Sequence, residues 1–238
     1  MKLLGVRVDN LSRKEILEKV NFFLSEEKFH QIATVNPEFI LEAQKNVDFR
    51  NILNQCDLNV ADGVGISVAF LRFGKFLKAR FAGVDLLEKI LEIAEEKKLS
   101  VFLAISKNGL SSYGEVRDAL EKNYPSIDFS GDIIDRESYS LYKIQNTKYK
   151  ILLCNFGAPY QETFIQNQKD AKIRLAMGVG GGFDFVVGKI ARAPILMRRL
   201  GLEWLWRFVQ EPAYRAKRIF NAVVVFPIKI LFSKNQND

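Results

Sequence analysis

The chain has 238 residues, 48% hydrophobic and 26% charged, an ordinary balance for a folded protein with one large domain or one domain plus an appendage. Two cysteines, Cys56 and Cys154, with no CxxC pair, exclude a disulfide framework and a cysteine-based zinc site, and fit a reducing cytoplasm. The net charge of +7 sits at one end. From residue 189 to 237, ten Lys and Arg stand against Glu203 and Glu211, so that segment carries +8 and the remainder −1. Such asymmetry predicts an anionic partner for the tail: nucleic acid, a phosphate-bearing ligand or a membrane surface.

The N-terminal "MKLLGVRVDN" lacks the apolar core of roughly 7–15 residues that a signal peptide needs. "LLGVRVD" reads as a strand, and "SRKEILEKVNFFLSEE" as a helix opened by a capping box, Ser12 with Glu15. "HQIATVN" is a second strand, and Pro37 suits the first turn of the helix "PEFILEAQKN". "CDLNVADG", "SVFLAIS" and "SIDFSGDI" read as strands, with "GVDLLEKILEIAEEKK" and "GLSSYGEVRDALEKNY" as helices between them. "YKILLCNFG" is a near-continuous apolar run, as a central parallel strand would be, and "APYQETFIQNQ" and "KIRLAMGVGGG" continue the alternation. Strand–helix repetition predicts an α/β fold, a doubly wound, mostly parallel, Rossmann-like sheet.

After about residue 190 the pattern becomes helical, aromatic and basic, with a short β-branched stretch near Val223. The expected organisation is an α/β catalytic domain over residues 1–190 and a helical appendage over 191–238. Residues 219–232 are the most apolar part, 14 residues interrupted by Pro227 and Lys229. That is short of the ~20 a spanning helix requires. Two readings stand: a helix lying in a membrane interface beside Arg215, Lys217 and Arg218, or a core helix covering the sheet.

In doubly wound sheets ligands bind outside the C-terminal strand ends. There the chain places Thr34 and Asn36 ("ATVNPE"), Asp62 ("NVADG"), Gln161 ("NFGAPYQE") and Asp184 ("MGVGGGFD"). Asp62, followed by Gly63 and Gly65, is either a turn former or an acid facing a cleft. In "GVGGGF", Phe183 takes the last glycine position of a dinucleotide fingerprint, which argues against NAD; Gly180 and Gly181 remain able to cradle a diphosphate through backbone N–H groups. Neither a GxxxxGK[ST] loop nor an Asp-x-Asp pair is present, and His30, the sole histidine, suits strand burial better than catalysis. No metal and no cofactor is expected. Arg80, just before a helix start, is an anion holder or a surface charge.

Taken together, "ATVNPE", "NVADGVG", "RFAGVDLL", "FGAPYQE", "MGVGGGFD" and "RAPILMRRLGLEWLWRFVQEPAYR" resemble the WecG/TagA/CpsF family of bacterial glycosyltransferases (family 26), over residues 3–220. The resemblance implies an inverting transfer of a sugar from a UDP-sugar to a polyprenyl-diphosphate-linked acceptor at the inner face of the cell membrane. N-acetylmannosamine passing to N-acetylglucosaminyl-diphospho-undecaprenol, in teichoic-acid assembly, is the best-known case; N-acetylmannosaminuronic acid and hexoses are the other donors. It implies Asp62 as base, Thr34, Asn36, Arg80 and Gln161 as active-site residues, and Arg207, Arg215 and Arg218 as diphosphate contacts. "EPAYRAKR" carries one residue more than the family pattern between Pro212 and its first arginine, so the roles of Arg215 and Arg218 stand open or exchanged with Lys217. The resemblance also implies self-association. The rival class is a nucleic-acid-binding protein using the basic tail, against which stands the long aliphatic run among the cations.

Overall fold

The computed structural model describes residues 1–145 and 148–233 of the chain. Lys234, counted in the tail's charge, lies outside the described residues. Strands β1 (Lys2–Leu3) and β2 (Val6–Arg7) form a small antiparallel hairpin, not the single strand expected from "LLGVRVD". The reason is local: Leu4 and Gly5 adopt φ of 47° and 80°, which reverses the chain in two residues. Helix α1 (Arg13–Ser25) follows, with both halves of the Ser12–Glu15 capping box formed.

The body then runs β3 (His30–Val35), α2 (Pro37–Ala43), α3 (Val47–Gln55), β4 (Leu58–Ala61), α4 (Val64–Arg72), α5 (Gly83–Glu96), β5 (Val101–Ser106), α6 (Tyr113–Asn123) and β6 (Phe129–Ile134). It closes with β7 (Ile151–Cys154), α7 (Tyr160–Gln166), β8 (Leu175–Gly178) and α8 (Gly182–Val186). Strands β3–β8 make one parallel sheet in the order β4-β3-β8-β7-β5-β6. The apolar run of β7 is interior, paired on both sides.

Period-two alternation divides the core. Ile32, Val101, Leu103 and Ile105 face α1, α5 and α6, while Ala33 and Val35 face α2, α3 and α4, and Phe102 and Ala104 face α7. Helices therefore cover both faces, as a doubly wound sheet requires. His30 is buried at the start of β3, its ring stacked on Phe23 at 4.1 Å between Glu26 and Asp57. That is the sheet edge opposite the strand ends considered below.

The last segment is helical: α9 (Ile195–Leu200), α10 (Glu203–Gln210), α11 (Pro212–Phe220), a π-helical stretch (Asn221–Val225) and α12 (Phe226–Phe232). The β-branched residues near Val223 thus sit in a π-helix. Pro227 has no N–H to offer Val223, and the Phe226 N–H reaches back to Asn221, widening the register by one residue. Phe226 and Ile230 of α12 are 1% and 3% exposed and join the core cluster of Ile66, Ala69 and Phe70 on α4. The opposite face of the same helix leaves Ile228, Leu231 and Phe232 exposed. Among the described residues, no helix is long and apolar enough to cross a membrane.

Candidate active site

Strands β3 and β4 pair with Val35 opposite Ala61, so the residues that follow, Asn36 and Asp62, leave the sheet side by side. The Asp62 N–H donates to Val35 O at 2.9 Å, extending the ladder to the acid itself. Gly63, at φ 85°, then turns the chain into α4. A Cβ on Gly65 would lie 2.7 Å from the Pro37 ring, so this second glycine lets α4 start against α2. One glycine therefore serves the turn and the other serves helix packing, and Asp62 is left half-buried above the sheet.

The N-terminus of α5 faces the acid: the Gly83 N–H donates to Asp62 Oδ2 at a long 3.4 Å. Thr34, buried at the end of β3, presses on the same residue, its Oγ1 3.2 Å from where a Cβ on Gly83 would stand. Burial raises the Asp62 carboxyl to about 6 from 3.8; the Gly83 N–H, Arg80 and Arg207 oppose the rise, and Glu203 adds to it. The acid is ionised at neutral pH yet more basic than a surface aspartate.

Gln161, 3% exposed on α7, gathers the loops after β7 and β8. Its Oε1 accepts the N–H groups of Gly157 and Gly180, each at 3.1 Å. On the glycine loop, Gly180 has φ 50°. A Cβ on Gly181 would lie 2.9 Å from Arg207 Nη2 and 3.4 Å from Asp184 Oδ2, so only a glycine leaves room there for the cation and the acid together. Asp184 is anchored by the Ser111 hydroxyl, which donates to Oδ1 at 2.7 Å.

The cations differ in their commitments. Arg80 donates to Arg198 O at 2.7 Å, tying the approach to α5 to the last turn of α9. Arg215 is buried and donates twice to Glu211, at 2.8 and 2.7 Å. Arg218 forks onto Glu38 in the first turn of α2. Arg207 stacks on Phe185 at 4.8 Å, and its buried Nε has no hydrogen-bond partner among the described residues. Burial, with Arg215 and Arg218 nearby, lowers its pKa to about 10, so it stays cationic at neutral pH.

The ends of β3, β4, β7 and β8 thus bring Thr34, Asn36, Asp62, Gln161, Gly180, Gly181 and Asp184 to one edge of the sheet, with Arg80 and Arg207 nearby. Asn36 spends its Oδ1 on capping α2, accepting the Phe39 N–H at 3.0 Å. Lys217, left open as an alternative to its neighbouring arginines, is exposed. Sequence reasoning missed Gly83, Glu203 and Glu38. The position of Glu38 in the first turn after an Asn-Pro helix start was a usable signal; its pairing with a residue 180 positions away was not. Among the described residues, no three of His, Cys, Asp or Glu gather to hold a metal ion.

The C-terminal edge of the parallel α/β sheet, where such sheets bind their ligands, thus carries an acid facing the N-terminus of α5, a glycine loop and nearby arginines. Residues 1–238 match the WecG/TagA/CpsF family of glycosyl transferases, and the chain belongs to that family. Two curated relatives, from Staphylococcus aureus strains MRSA252 and MW2, are each 30% identical over 98% of this chain and 93% of their own length. Both are N-acetylglucosaminyldiphosphoundecaprenol N-acetyl-beta-D-mannosaminyltransferases.

Proposed function

We propose that the enzyme transfers N-acetylmannosamine from a UDP-sugar to N-acetylglucosaminyl-diphospho-undecaprenol, with inversion at the anomeric carbon. The observation that carries this is Asp62: a half-buried acid raised to about 6, held at a strand end within the electrostatic reach of Arg80 and Arg207. The names of the Staphylococcus aureus relatives support the choice of sugar and acceptor.

In the proposed step, an acceptor hydroxyl oxygen bonds to the anomeric carbon as the bond from that carbon to the UDP oxygen breaks. The hydroxyl proton passes to Asp62 Oδ, and the electron pair of the broken bond leaves on UDP. A base with pKa near 6 is better matched to this task than an ordinary aspartate, and still ionised at pH 7. Charge developing on the diphosphate meets the Gly181 N–H and the Arg207 guanidinium, with Arg80 at the rim, the Gly180 and Gly182 N–H groups being already given to Gln161 and Val179 O. Gln161 contributes by holding the loop. In this reading Arg207 and the glycine loop do the electrostatic work that a divalent cation does elsewhere, and transfer is metal-independent.

The acceptor's isoprenoid stays in the bilayer, so the site must approach a membrane. The basic charge of residues 189–237 and the exposed Phe220, Val223, Val224, Ile228, Leu231 and Phe232 support peripheral binding at an anionic cytoplasmic surface. The body to residue 190 is then the catalytic part, and 191–238 both cover and anchor. The test is a donor screen on a short-chain N-acetylglucosaminyl-diphospho-lipid, reading UDP release and product mass. UDP-N-acetylmannosamine should give one added N-acetylhexosamine. A product formed only with the uronic acid or a hexose would replace the donor, and no UDP release with any donor would overturn the proposal.

A further inference from the structure

Beside Gln161 on α7 lies an acid that the proposed chemistry does not use. Glu162 is 1% exposed, and its Oε1 accepts from Gln161 Nε2 at 2.7 Å. Its Oε2 is buried with no hydrogen-bond partner among the described residues. The titratable groups that face it are two thiols, Cys56 after α3 and Cys154 on β7, both kept protonated by burial. Gln31 of β3 reaches only its backbone carbonyl, at 3.4 Å. No cation is paired with the carboxyl among the described residues. A charge answered only by the Gln161 amide and the residue's own backbone N–H would be far costlier in such a place than an unpaired hydroxyl.

The Gln161 amide has only one workable orientation. Two backbone N–H groups, of Gly157 and Gly180, point at the same side-chain atom, which must therefore be the oxygen. The NH₂ end must then find an acceptor, and Glu162 Oε1 supplies it. We propose that Glu162, as a neutral carboxylic acid, is a positioning residue that fixes the Gln161 amide and through it the glycine loop after β8. This rests on the reading of that loop as the diphosphate cradle. Burial raises the Glu162 carboxyl to about 8, so the neutral form prevails at pH 7. Above that pH the carboxylate carries a charge that this apolar place cannot solvate, and water drawn in to it would compete for the Gln161 amide and disturb the loop that Gln161 holds.

The test is glycine-selective ¹⁵N NMR of the full chain, which reads the Gly157 and Gly180 amides without any substrate. In the wild type both resonances should titrate together with a midpoint near pH 8, and UDP release should fall on the same limb. Glu162→Gln keeps a neutral acceptor, so both amides should stay fixed from pH 7 to 9 and activity at pH 7 should stay within about twofold. Glu162→Leu removes the acceptor; where it folds, both amides should shift at every pH and turnover should drop at least tenfold. Wild-type amides that do not titrate, or a titration that persists in Glu162→Gln, would overturn the proposal. Amides that behave as expected without UDP binding at any pH would instead refute the diphosphate reading of the loop and leave the Glu162–Gln161 lock standing.

Discussion

The ring of Phe226 lies 3.7 Å from the point where a Cβ on Gly65 would sit, three residues beyond Asp62. The last of the described helices, α12, therefore props the start of α4, whose N-terminus follows directly on the acid. Arg72 of α4 completes the contact by donating to Leu231 O at 3.1 Å. The tail and the strand ends that lead to Asn36 and Asp62 share one apolar cluster.

Phe226→Ala should accordingly cost about 3–5 kcal/mol of stability, the range for emptying a buried phenylalanine site. Urea denaturation monitored by tryptophan fluorescence reads it directly. Truncation after Gly201 removes Phe226 and Ile230 together and uncovers Ile66, Ala69 and Phe70. The shortened protein should self-associate, seen as concentration-dependent sedimentation, where the full chain does not depend on that face. A truncated body that stays monomeric and as stable as the full chain would contradict the packing.

The pH behaviour of Asp62 has opposite signs for activity and stability. As base it must be ionised, so kcat/KM should rise with pH through about 6 and level off above it. For stability, the folded carboxyl holds a proton that the unfolded chain, near 3.8, has already released. The favourable contribution is therefore complete below about pH 4 and is lost as pH rises through 6. Asp62→Asn should abolish this slope, keep UDP binding, and lower transfer by ~10²–10⁴-fold. Near-wild-type turnover in that variant would make Asp62 a turn former after all.

Unlike Arg215 and Arg218, Arg207 has no carboxylate partner in hydrogen-bonding contact among the described residues, while lying against Gly181. Arg207→Ala should lower kcat/KM by ~10²-fold or more, the cost of removing one preorganised donor. Arg218→Ala breaks an ion pair with Glu38 that is partly exposed, worth about 0–1 kcal/mol, and should change stability little. Activity of the wild type should persist in excess EDTA. Loss in EDTA with recovery on adding magnesium or manganese would assign the diphosphate charge to a metal instead.

Much of this was legible because the rules involved are local. The Ser12–Glu15 box, Pro37 at a helix start and the unbroken apolar run of β7 each encode their element within a few residues. Helix α4 was illegible for the opposite reason: it opens on Gly63-Val64-Gly65, a sequence that favours a loop, and forms because Pro37 and Phe226 pack on it. The Asp62 strand end could be read, but not its raised pKa, which depends on burial and on Glu203, 141 positions away. The tail posed two alternatives, interface helix or core helix. Phe226 and Ile230 of α12 are in the core, while the exposed Ile228 and Phe232 leave the interface reading as a proposal.

That division gives the membrane proposal its sharpest test. Val224 and Ile228 lie on the exposed side, 38% and 52% accessible, and neither belongs to the core cluster. Replacing both with glutamate removes two aliphatic groups from the expected interface and adds two charges that an anionic leaflet repels. Each basic residue near such a leaflet contributes about 1 kcal/mol, and two misplaced acids should cost at least as much. Binding to vesicles containing phosphatidylglycerol, read by co-sedimentation, should weaken at least tenfold. The urea midpoint should stay put, because no buried contact is touched. Transfer to a lipid-linked acceptor in vesicles should fall with binding, whereas transfer to a short, water-soluble acceptor analogue should not. Undiminished vesicle binding by Val224→Glu/Ile228→Glu would exclude this face as the anchor. A parallel loss on the soluble acceptor would mean that the helix works through the Gly65 contact and the site itself.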